Sequence, residues 1–170
     1  MEPEYIEATI NDRLIRIDKN DSRNVYSWRE NKTKPSHWFK LKLTLYINKK
    51  TGYKAYRITI NRKNYYLSRI LFKAHNNDWN ITDISKNNQI DHINRNALDN
   101  RIENLRILTS QQNNFNKTAK GYHWHKQNNK WEAQICINRK IKYLGQFTEE
   151  EDARQAYLNA KEIYHKLPAI

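Results

Sequence analysis

Cysteine is almost absent from this sequence, and no apolar run approaches the length of a membrane span. The single cysteine, Cys136, allows no disulfide within the chain and no cysteine-based zinc site, so we expect no structural zinc. The N-terminal residues also lack the apolar core of a signal peptide. We therefore expect an intracellular protein, in the cytoplasm or nucleus of a host, that is not secreted and does not contact a membrane.

Acidic residues are missing from one long stretch of the chain, and this absence says more about the partner than the scarcity of cysteine does. From Asn31 to Asn77 the chain has no Asp or Glu but 12 Lys and Arg residues, within a formal net charge of +13. Such an excess favours a polyanionic partner, because each neutralised phosphate releases condensed counterions. Codon usage in an AT-rich genome would also raise the Asn, Lys, Ile and Tyr content, but it does not readily explain the missing acids. Nucleic acid is the predicted partner.

The first part of the chain has mainly strand patterns. Residues 1–36 predict a β-rich segment with a small hairpin over residues 14–28. Apolar and polar residues then alternate over residues 41–47 and 56–60, which predicts two strands, with the odd-numbered residues of the first on the core face. Residues 68–75 predict a short helix.

A predicted order of strand, loop, strand and helix surrounds four polar residues: Asp91, His92, Asn104 and Asn113. An imidazole titrates near neutral pH, so His92 is a candidate general base. The Asp91 carboxylate and the Asn113 amide are hard oxygen ligands suited to Mg²⁺ or Mn²⁺. Asn104 is predicted to bond the backbone of the Asp91–His92 loop and to orient His92. This combination indicates metal-dependent hydrolysis of a phosphodiester.

The segment IDHINRNALDNRIENLRILTSQQNN resembles the His-Asn-His (HNH) endonucleases, especially the homing branch found in phages, viruses and introns. The resemblance is carried by Asp91-His92, then Asn104-Leu105-Arg106, then Asn113, with Leu98-Asp99-Asn100-Arg101 as similar intervening sequence. It implies a ββα-metal fold around one divalent cation. It also implies an active site in which His92 is the general base, Asp91 and Asn113 hold the metal, and Asn104 is structural.

The chain departs from that family in the preceding helix. Relatives often have His-Arg there, where this sequence has Ser68-Arg69. The departure puts in doubt any role of the missing histidine and leaves Arg69 as a candidate phosphate contact.

The C-terminal part predicts a second small unit of three strands, over residues 122–125, 131–138 and 141–144, and one amphipathic helix. The sequences KGY, KWEA, YLGQF and EEDA within it resemble the AP2 domain, a DNA-binding module of plant transcription factors that also follows HNH nucleases in mobile elements. In that family the sheet lies in the major groove and the helix backs it. Trp124 and Trp131 are expected in the core.

Two helix starts carry capping signals. Thr109 or Ser110 can cap a helix that begins there. Thr148, with Glu151 three residues later, has the spacing of a capping box for the C-terminal helix, whose apolar stripe includes Ile163.

The candidate DNA contacts are basic, amide and aromatic side chains, of which the basic ones suit phosphates and the amides suit base edges. They are Lys54, Arg57, Arg69, Arg95, Arg101, His123, His125, Lys126, Lys130, Gln134, Asn138, Arg139, Lys140 and Tyr143.

The predicted fold class is α+β, with an N-terminal antiparallel β region (residues 1–36), an HNH nuclease domain (residues 37–117) and an AP2-like domain (residues 118–170). The resemblances imply a site-specific, homing-type DNA endonuclease encoded by a phage, virus or mobile element. Double-stranded DNA is its predicted partner, and a monomer is favoured. Two alternatives stay open: a non-catalytic DNA-binding regulator that uses the HNH unit as a scaffold, and a nuclease acting on RNA or in repair.

Overall fold

The computed structural model describes residues 3–117 and 119–167; the parts of the predicted segments at residues 1, 2, 118 and 168–170 lie outside the described residues. The chain divides into two compact units, Met1–Ile107 (the first unit) and Leu108–Ile170 (the second unit). The fold is mixed α and β, with several small antiparallel sheets, in agreement with the predicted class. Among the described helices, none is long and apolar enough to cross a membrane.

The N-terminal residues form a four-stranded antiparallel sheet in which the strands pair in chain order. A two-residue turn, Asn11-Asp12, joins the first two strands with both φ angles positive, at 50° and 60°. Such turns match the right-handed twist of paired strands. The boundary expected after residue 36 falls inside this sheet. The strands are β1 (Tyr5–Ile10), β2 (Arg13–Asp18), β3 (Val25–Arg29) and β4 (His37–Lys40).

A second antiparallel sheet has three strands, β5 (Leu43–Ile47), β6 (Lys54–Ile60) and β7 (Lys63–Tyr66). On β6 the predicted alternation holds, because Ile58 and Ile60 are buried. On β5 it fails, because Leu45 and Ile47 are exposed. The physical reason is position: β5 is an edge strand, and the helix that follows β7 packs mainly against β1, β6 and β7.

Helix α1 (Leu67–His75) follows β7 directly and has no side-chain cap. The helix lies where one was predicted, and its residues Ile70, Leu71 and Ala74 are buried. They join one hydrophobic cluster with residues of both sheets, so the N-terminal strands share a core with the helix. Each fully buried Ile or Leu contributes roughly 1.5–3 kcal/mol. The fully buried members include Ile10, Ile15, Ile17, Val25, Ile58, Leu67 and Ile70.

The central segment has the predicted chain order of strand, loop, strand and helix. Strands β8 (Gln89–His92) and β9 (Leu105–Leu108) pair, and a single 3₁₀ turn, Ile102–Asn104, precedes β9. Helix α2 (Ser110–Asn116) follows, with Thr109 as its N-cap, as predicted. The division between the two units falls within β9, ten residues before the boundary expected after residue 117.

The second unit contains β10 (Tyr122–His125), β11 (Lys130–Ile137), β12 (Lys140–Phe147) and α3 (Glu150–Tyr164). The three strands form one antiparallel sheet, and Ile135 on β11 is buried with Tyr157 and Ala160 of the helix. Gly121, at φ +71°, lies so close to the helix that an added Cβ would come within 2.1 Å of the Tyr157 ring. Only glycine fits at this contact.

Three local expectations for the second unit are wrong. The N-cap of α3 is Glu149 instead of Thr148, and it makes no side-chain cap bond. Ile163 is 60% exposed, because the buried residues of α3 are Ala153, Tyr157 and Ala160, and the helix has no buried residue after them. Trp124 is 42% exposed and packs edge-to-face on Trp131, with ring centroids 5.4 Å apart.

Candidate active site

Asp91 and His92 lie at the end of β8, and both are buried, at 7% and 8% exposure. Residues of these types are seldom enclosed without partners, because desolvation is costly unless hydrogen bonds replace the lost water. The chain turns just after them: the backbone N–H of Arg95 donates to the His92 carbonyl at 2.9 Å. The N–H of Ile93 donates to the Asn104 carbonyl, also at 2.9 Å, which ties the turn to the residue before β9.

Asp91 forms an ion pair across the two-stranded sheet. The Nε of Arg106, on β9, donates to Asp91 Oδ2 at 2.9 Å, and the two side chains are 16% and 7% exposed. A charge-assisted bond in such an enclosed place restricts the carboxylate to one orientation. The pair therefore fixes a carboxylate oxygen immediately next to His92.

The imidazole of His92 has a buried partner in the following loop. Its Nε2 lies 3.0 Å from Oδ1 of Asn100, a residue that is itself buried. The Nδ2 of Asn100 donates to the Leu98 carbonyl at 3.3 Å. The ring is thus held by a side chain eight residues further along the chain.

Asn104 closes the loop between β8 and β9. Its Oδ1 accepts from the backbone N–H of Asn94 at 3.0 Å, and its Nδ2 donates to the Asp99 carbonyl at 2.7 Å and to Asn94 Oδ1 at 3.0 Å. These bonds go to the loop that begins after His92. The structure thus places Asn104 as a brace for that loop, whereas the bond to the His92 ring comes from Asn100.

An ion pair stiffens the same loop. Arg101 donates through Nε and Nη2 to the two carboxylate oxygens of Asp99, each at 2.9 Å. The hydrogen bond from Arg101 holds the pKa of Asp99 well below its usual range, and the pKa of Arg101 is raised in turn. Both groups therefore stay charged over the whole physiological range, and Asn100 lies between them in sequence.

Asn113 lies on α2, in the second unit, one turn after the helix start. Two reciprocal bonds fix that start: Thr109 Oγ1 accepts from the Gln112 N–H at 3.2 Å, and Gln112 Oε1 accepts from the Thr109 N–H at 3.0 Å. The Asn113 N–H donates to the Thr109 carbonyl at 2.9 Å. The position of Asn113 on the helix thus depends on this cap.

The donor chemistry of Asp91 and Asn113 fits a hard divalent cation. Within residues 3–117 and 119–167, no group of three or more His, Cys, Asp and Glu side chains is arranged to hold a metal. Mg²⁺ often takes only one or two carboxylates and completes its coordination with water and substrate phosphate. Each of the two side chains by itself carries an oxygen donor of the type that Mg²⁺ and Mn²⁺ prefer.

A cavity of about 650 Å³ in the first unit opens against His92. Tyrosine, amide and basic side chains from β7, α1 and the segment before β8 surround it, and it is open to solvent on one side. The lining residues nearest in sequence to His92 are Asn88, Gln89 and Ile90.

Two of the predicted DNA contacts in the first unit, Arg57 and Arg69, are half-buried and engaged within the protein. Arg69 donates to the carbonyls of Ile81 and Asp83, both at 2.7 Å, and burial lowers its pKa. Arg57 donates from Nη2 to the Tyr66 hydroxyl at 2.6 Å and stacks over the Tyr46 ring at 3.5 Å. Their guanidinium groups support the fold. Lys54, Arg95 and Arg101 are exposed.

The predicted contacts of the second unit lie mostly on its surface. Asn138 and Arg139 form the β11–β12 turn with φ of 50° and 65°, and the Asn138 Oδ1 accepts from Gln111 Nε2 at 2.7 Å. His125 and Gln134 are half-buried. The exposed members are His123, Lys126, Lys130, Asn138, Arg139, Lys140 and Tyr143.

Sequence reasoning missed two residues of the site, Asn100 and Arg106. Both belong to the segment that carried the resemblance, but neither received a role. Their partners, His92 and Asp91, are set by the loop path and by strand pairing. The available signal was the position of Arg106 just before the second predicted strand, which in the structure pairs with the strand that ends in Asp91 and His92.

Comparison with known proteins places this segment in context. Residues 65–115 match the family model described as HNH endonuclease. The chain is also 36% identical over 85 residues to a protein named uncharacterized HNH endonuclease L560, from Acanthamoeba polyphaga mimivirus. That match covers 47% of this chain and 45% of the relative. No solved structure matches the chain. The two findings show that the segment containing Asp91, His92 and Asn104 is similar to HNH endonucleases, and that the chain spans about half the length of the relative it matches.

Proposed function

We propose that this protein is a site-specific DNA endonuclease of the homing type, with one divalent cation and His92 as general base. The observation that supports this most directly is the buried Asp91–His92 pair at the end of β8, inside the segment that matches the HNH family model. The cavity next to His92 provides room for a strand of substrate. The net charge of +13 favours a nucleic-acid substrate.

In the proposed reaction, His92 takes a proton from a water molecule, and the water oxygen forms a new bond to phosphorus. The bond from phosphorus to the leaving oxygen breaks with its electron pair, and that oxygen is protonated by solvent. Asp91, oriented by Arg106, and Asn113 are the residues that would hold Mg²⁺ or Mn²⁺. The cation, when bound, would stabilise charge on the phosphate oxygens and the leaving oxygen. Asn104 keeps the loop after His92 closed.

The second unit is proposed to bind duplex DNA as an AP2-like module. Its support is architectural: three antiparallel strands are backed by one helix, and basic side chains are exposed on the sheet and its turns. A sheet of this size can enter a major groove, where amides and planar side chains read base edges. This module would supply the target preference, and the first unit would cut.

The test uses supercoiled plasmids that carry a library of random inserts, so that a target site can be present. Purified protein is incubated with Mg²⁺ or Mn²⁺, with and without EDTA. We expect relaxed or linear product that requires the metal. His92→Ala should lower the cleavage rate by at least about 100-fold, because a general base contributes that much or more.

His37→Ala is the matched control, since His37 is an exposed histidine at the start of β4. It should cut like the unaltered protein. Tight duplex binding without cutting in either metal would refute the nuclease and favour the DNA-binding regulator. Preference for RNA or single strands over duplex DNA would refute the homing role.

A further inference from the structure

The cavity that opens against His92 has the size and the charge of a site for a small anionic ligand. Its volume is about 650 Å³, within the range of roughly 300–1,000 Å³ of pockets that take small organic molecules. Among the described residues that line it, none is Asp or Glu, and Lys63 on its wall is an exposed cation. A ligand that carries a phosphate therefore meets no carboxylate on the wall of this cavity.

Part of the cavity wall is aromatic or aliphatic and lies uncovered. Tyr53 is exposed, and its ring lies edge-on to the ring of Tyr66, with centroids 6.5 Å apart. Tyr66 is held in place by Arg57, whose Nη2 donates to the Tyr66 hydroxyl at 2.6 Å. Ile84, which also lines the cavity, is 87% exposed. A flat, unsaturated ligand would cover this surface, because planar rings pack well against such side chains.

Two hydroxyl groups of cavity-lining residues lack a hydrogen-bond partner. Tyr65 and Ser68 both line the cavity, and each is only 8% exposed. The Tyr65 hydroxyl is enclosed without a partner, and in the part of the chain that the structure describes nothing bonds to the Ser68 hydroxyl. Because buried polar groups nearly always have partners, these two call for a bound group that supplies them. A hydroxyl both donates and accepts, so it suits a ligand edge that carries both kinds of group.

We propose that this cavity binds one unstacked base of the DNA strand that is cut, with its ring against Tyr53 and its edge toward the hydroxyls of Ser68 and Tyr65. A nucleobase combines a flat ring, an edge of donors and acceptors, and an attached phosphate, which the exposed Lys63 can meet. Because the cavity opens against His92, the bound base belongs to a nucleotide at or next to the phosphate that is cut. This inference rests on the proposed nuclease function.

The test measures base binding without any cleavage. Carbon-13 NMR of the tyrosine rings is recorded on the full chain in EDTA, while each of the four deoxynucleoside 5′-monophosphates is added in turn. The control ligand is 2-deoxyribose 5-phosphate, which carries a phosphate and the sugar but no base. We expect the signals of Tyr53 and Tyr66, assigned by substitution, to shift with at least one of the nucleotides and not with the sugar phosphate.

Tyr53→Leu removes the ring that the base is expected to stack on. It should weaken nucleotide binding, followed on the Tyr66 signals, by roughly 5-fold or more, the low end of what stacking on an aromatic ring contributes. Cleavage under single-turnover conditions should slow by a similar factor. Tyr164→Leu is the matched control, because Tyr164 is also an exposed tyrosine but lies on α3 in the second unit. It should change neither property.

Ser68→Ala removes the hydroxyl without adding bulk to a buried position. The loss of one hydrogen bond should weaken nucleotide binding by about 2-fold to 10-fold. Urea unfolding of each variant verifies that the molecules compared are folded.

Equal shifts with the sugar phosphate would overturn the inference, because the cavity would then bind phosphate alone. Unchanged tyrosine signals with every nucleotide would also overturn it, as would an unaltered cleavage rate in Tyr53→Leu. A failure of the proposed function looks different. In that case nucleotides shift the tyrosine signals but the unaltered protein cuts no DNA with either metal, so the cavity binds a base but the nuclease is refuted.

Discussion

Arg69 is a half-buried cation whose hydrogen-bond partners are backbone carbonyls. It donates to Ile81 and Asp83 at 2.7 Å and to Asn88 at 3.2 Å, and it lies 4.6 Å from the centre of the Trp79 ring. Arg69→Gln leaves several of these carbonyls without their donor. We expect a loss of about 2 kcal/mol in the free energy of unfolding, because bonds to charged groups are worth roughly 1.5–3 kcal/mol.

Urea denaturation measures the effect of Arg69→Gln, with Lys86→Gln as its control. Lys86 is an exposed residue in the same segment that Arg69 ties down, and its substitution removes the same charge. Its unfolding midpoint should be unchanged. Unaltered stability of Arg69→Gln, combined with a large loss of DNA affinity, would instead support the phosphate contact predicted from the sequence.

Residue types and spacing indicated the candidate site but not the side chains that hydrogen-bond to Asp91 and His92. Asp91 and His92 were identified because an acid and an imidazole side by side before a turn have a recognisable chemistry. Asn100 and Arg106 were not assigned, because an amide or a guanidinium is usually solvated and only the loop path brings each to its partner. The internal bonds of Arg69 were not foreseen for the same reason: nothing local shows that three carbonyls of residues 81–88 surround it.

Helix α2 depends on its cap more than α3 does. Thr109 and Gln112 form a complete capping box on a helix of seven residues, whereas Thr148 does not cap α3. We expect Thr109→Ala to cost about 1 kcal/mol of stability. Because Asn113 lies one turn into α2, the same change should weaken cleavage. Thr109→Ser keeps the acceptor and should restore both properties.

Thr148→Ala, near the start of α3, is the matched comparison for Thr109→Ala at the start of α2. The sequence gives it the same capping spacing as Thr109, but the N-cap of α3 is Glu149. We expect a change within about 0.5 kcal/mol, as for an ordinary surface position. Urea unfolding measures both variants, and hydrogen exchange of the α2 amides localises the effect of Thr109→Ala. Equal losses from the two alanine changes would contradict the assignment of the caps.

Elements with a strong local pattern could be predicted, and elements defined by pairing could not. Strands β2, β3 and β6 and helix α1 follow from alternation or helical spacing. The edge position of β5 is a property of the whole sheet, which is why the exposure of Leu45 and Ile47 was not foreseen. The unit boundary within β9 likewise depends on contacts between distant residues.

At the scale of the whole molecule, we expect only the exposed cations to contribute to the salt-dependent affinity for DNA. Arg57 is enclosed by Tyr46 and Tyr66, whereas Lys54, on the same strand, is exposed. Lys54→Gln should reduce the slope of log K against log salt by about 1, if Lys54 contacts a phosphate. Arg57→Gln should leave the slope unchanged, because its guanidinium releases no counterion.

Fluorescence anisotropy with a labelled duplex, at a series of salt concentrations, measures these slopes. Lys130→Gln tests the second unit in the same way, since Lys130 is also exposed. A reduced slope for both lysine variants would show that both units contact phosphates. A reduced slope for Arg57→Gln would show that the cation leaves its tyrosine contacts when DNA binds.

The order of strands in the sheets has a consequence for folding during synthesis on the ribosome. Each of the three larger sheets pairs strands that are neighbours in sequence, and two-residue turns close three of the hairpins. Closing such short connections costs little entropy, and a hairpin forms within microseconds, whereas synthesis takes roughly 0.1 s to add a residue. Each sheet can therefore form as soon as its last strand leaves the ribosome. Few strand edges then wait unpaired for a distant partner, so the nascent chain offers little opportunity for aggregation.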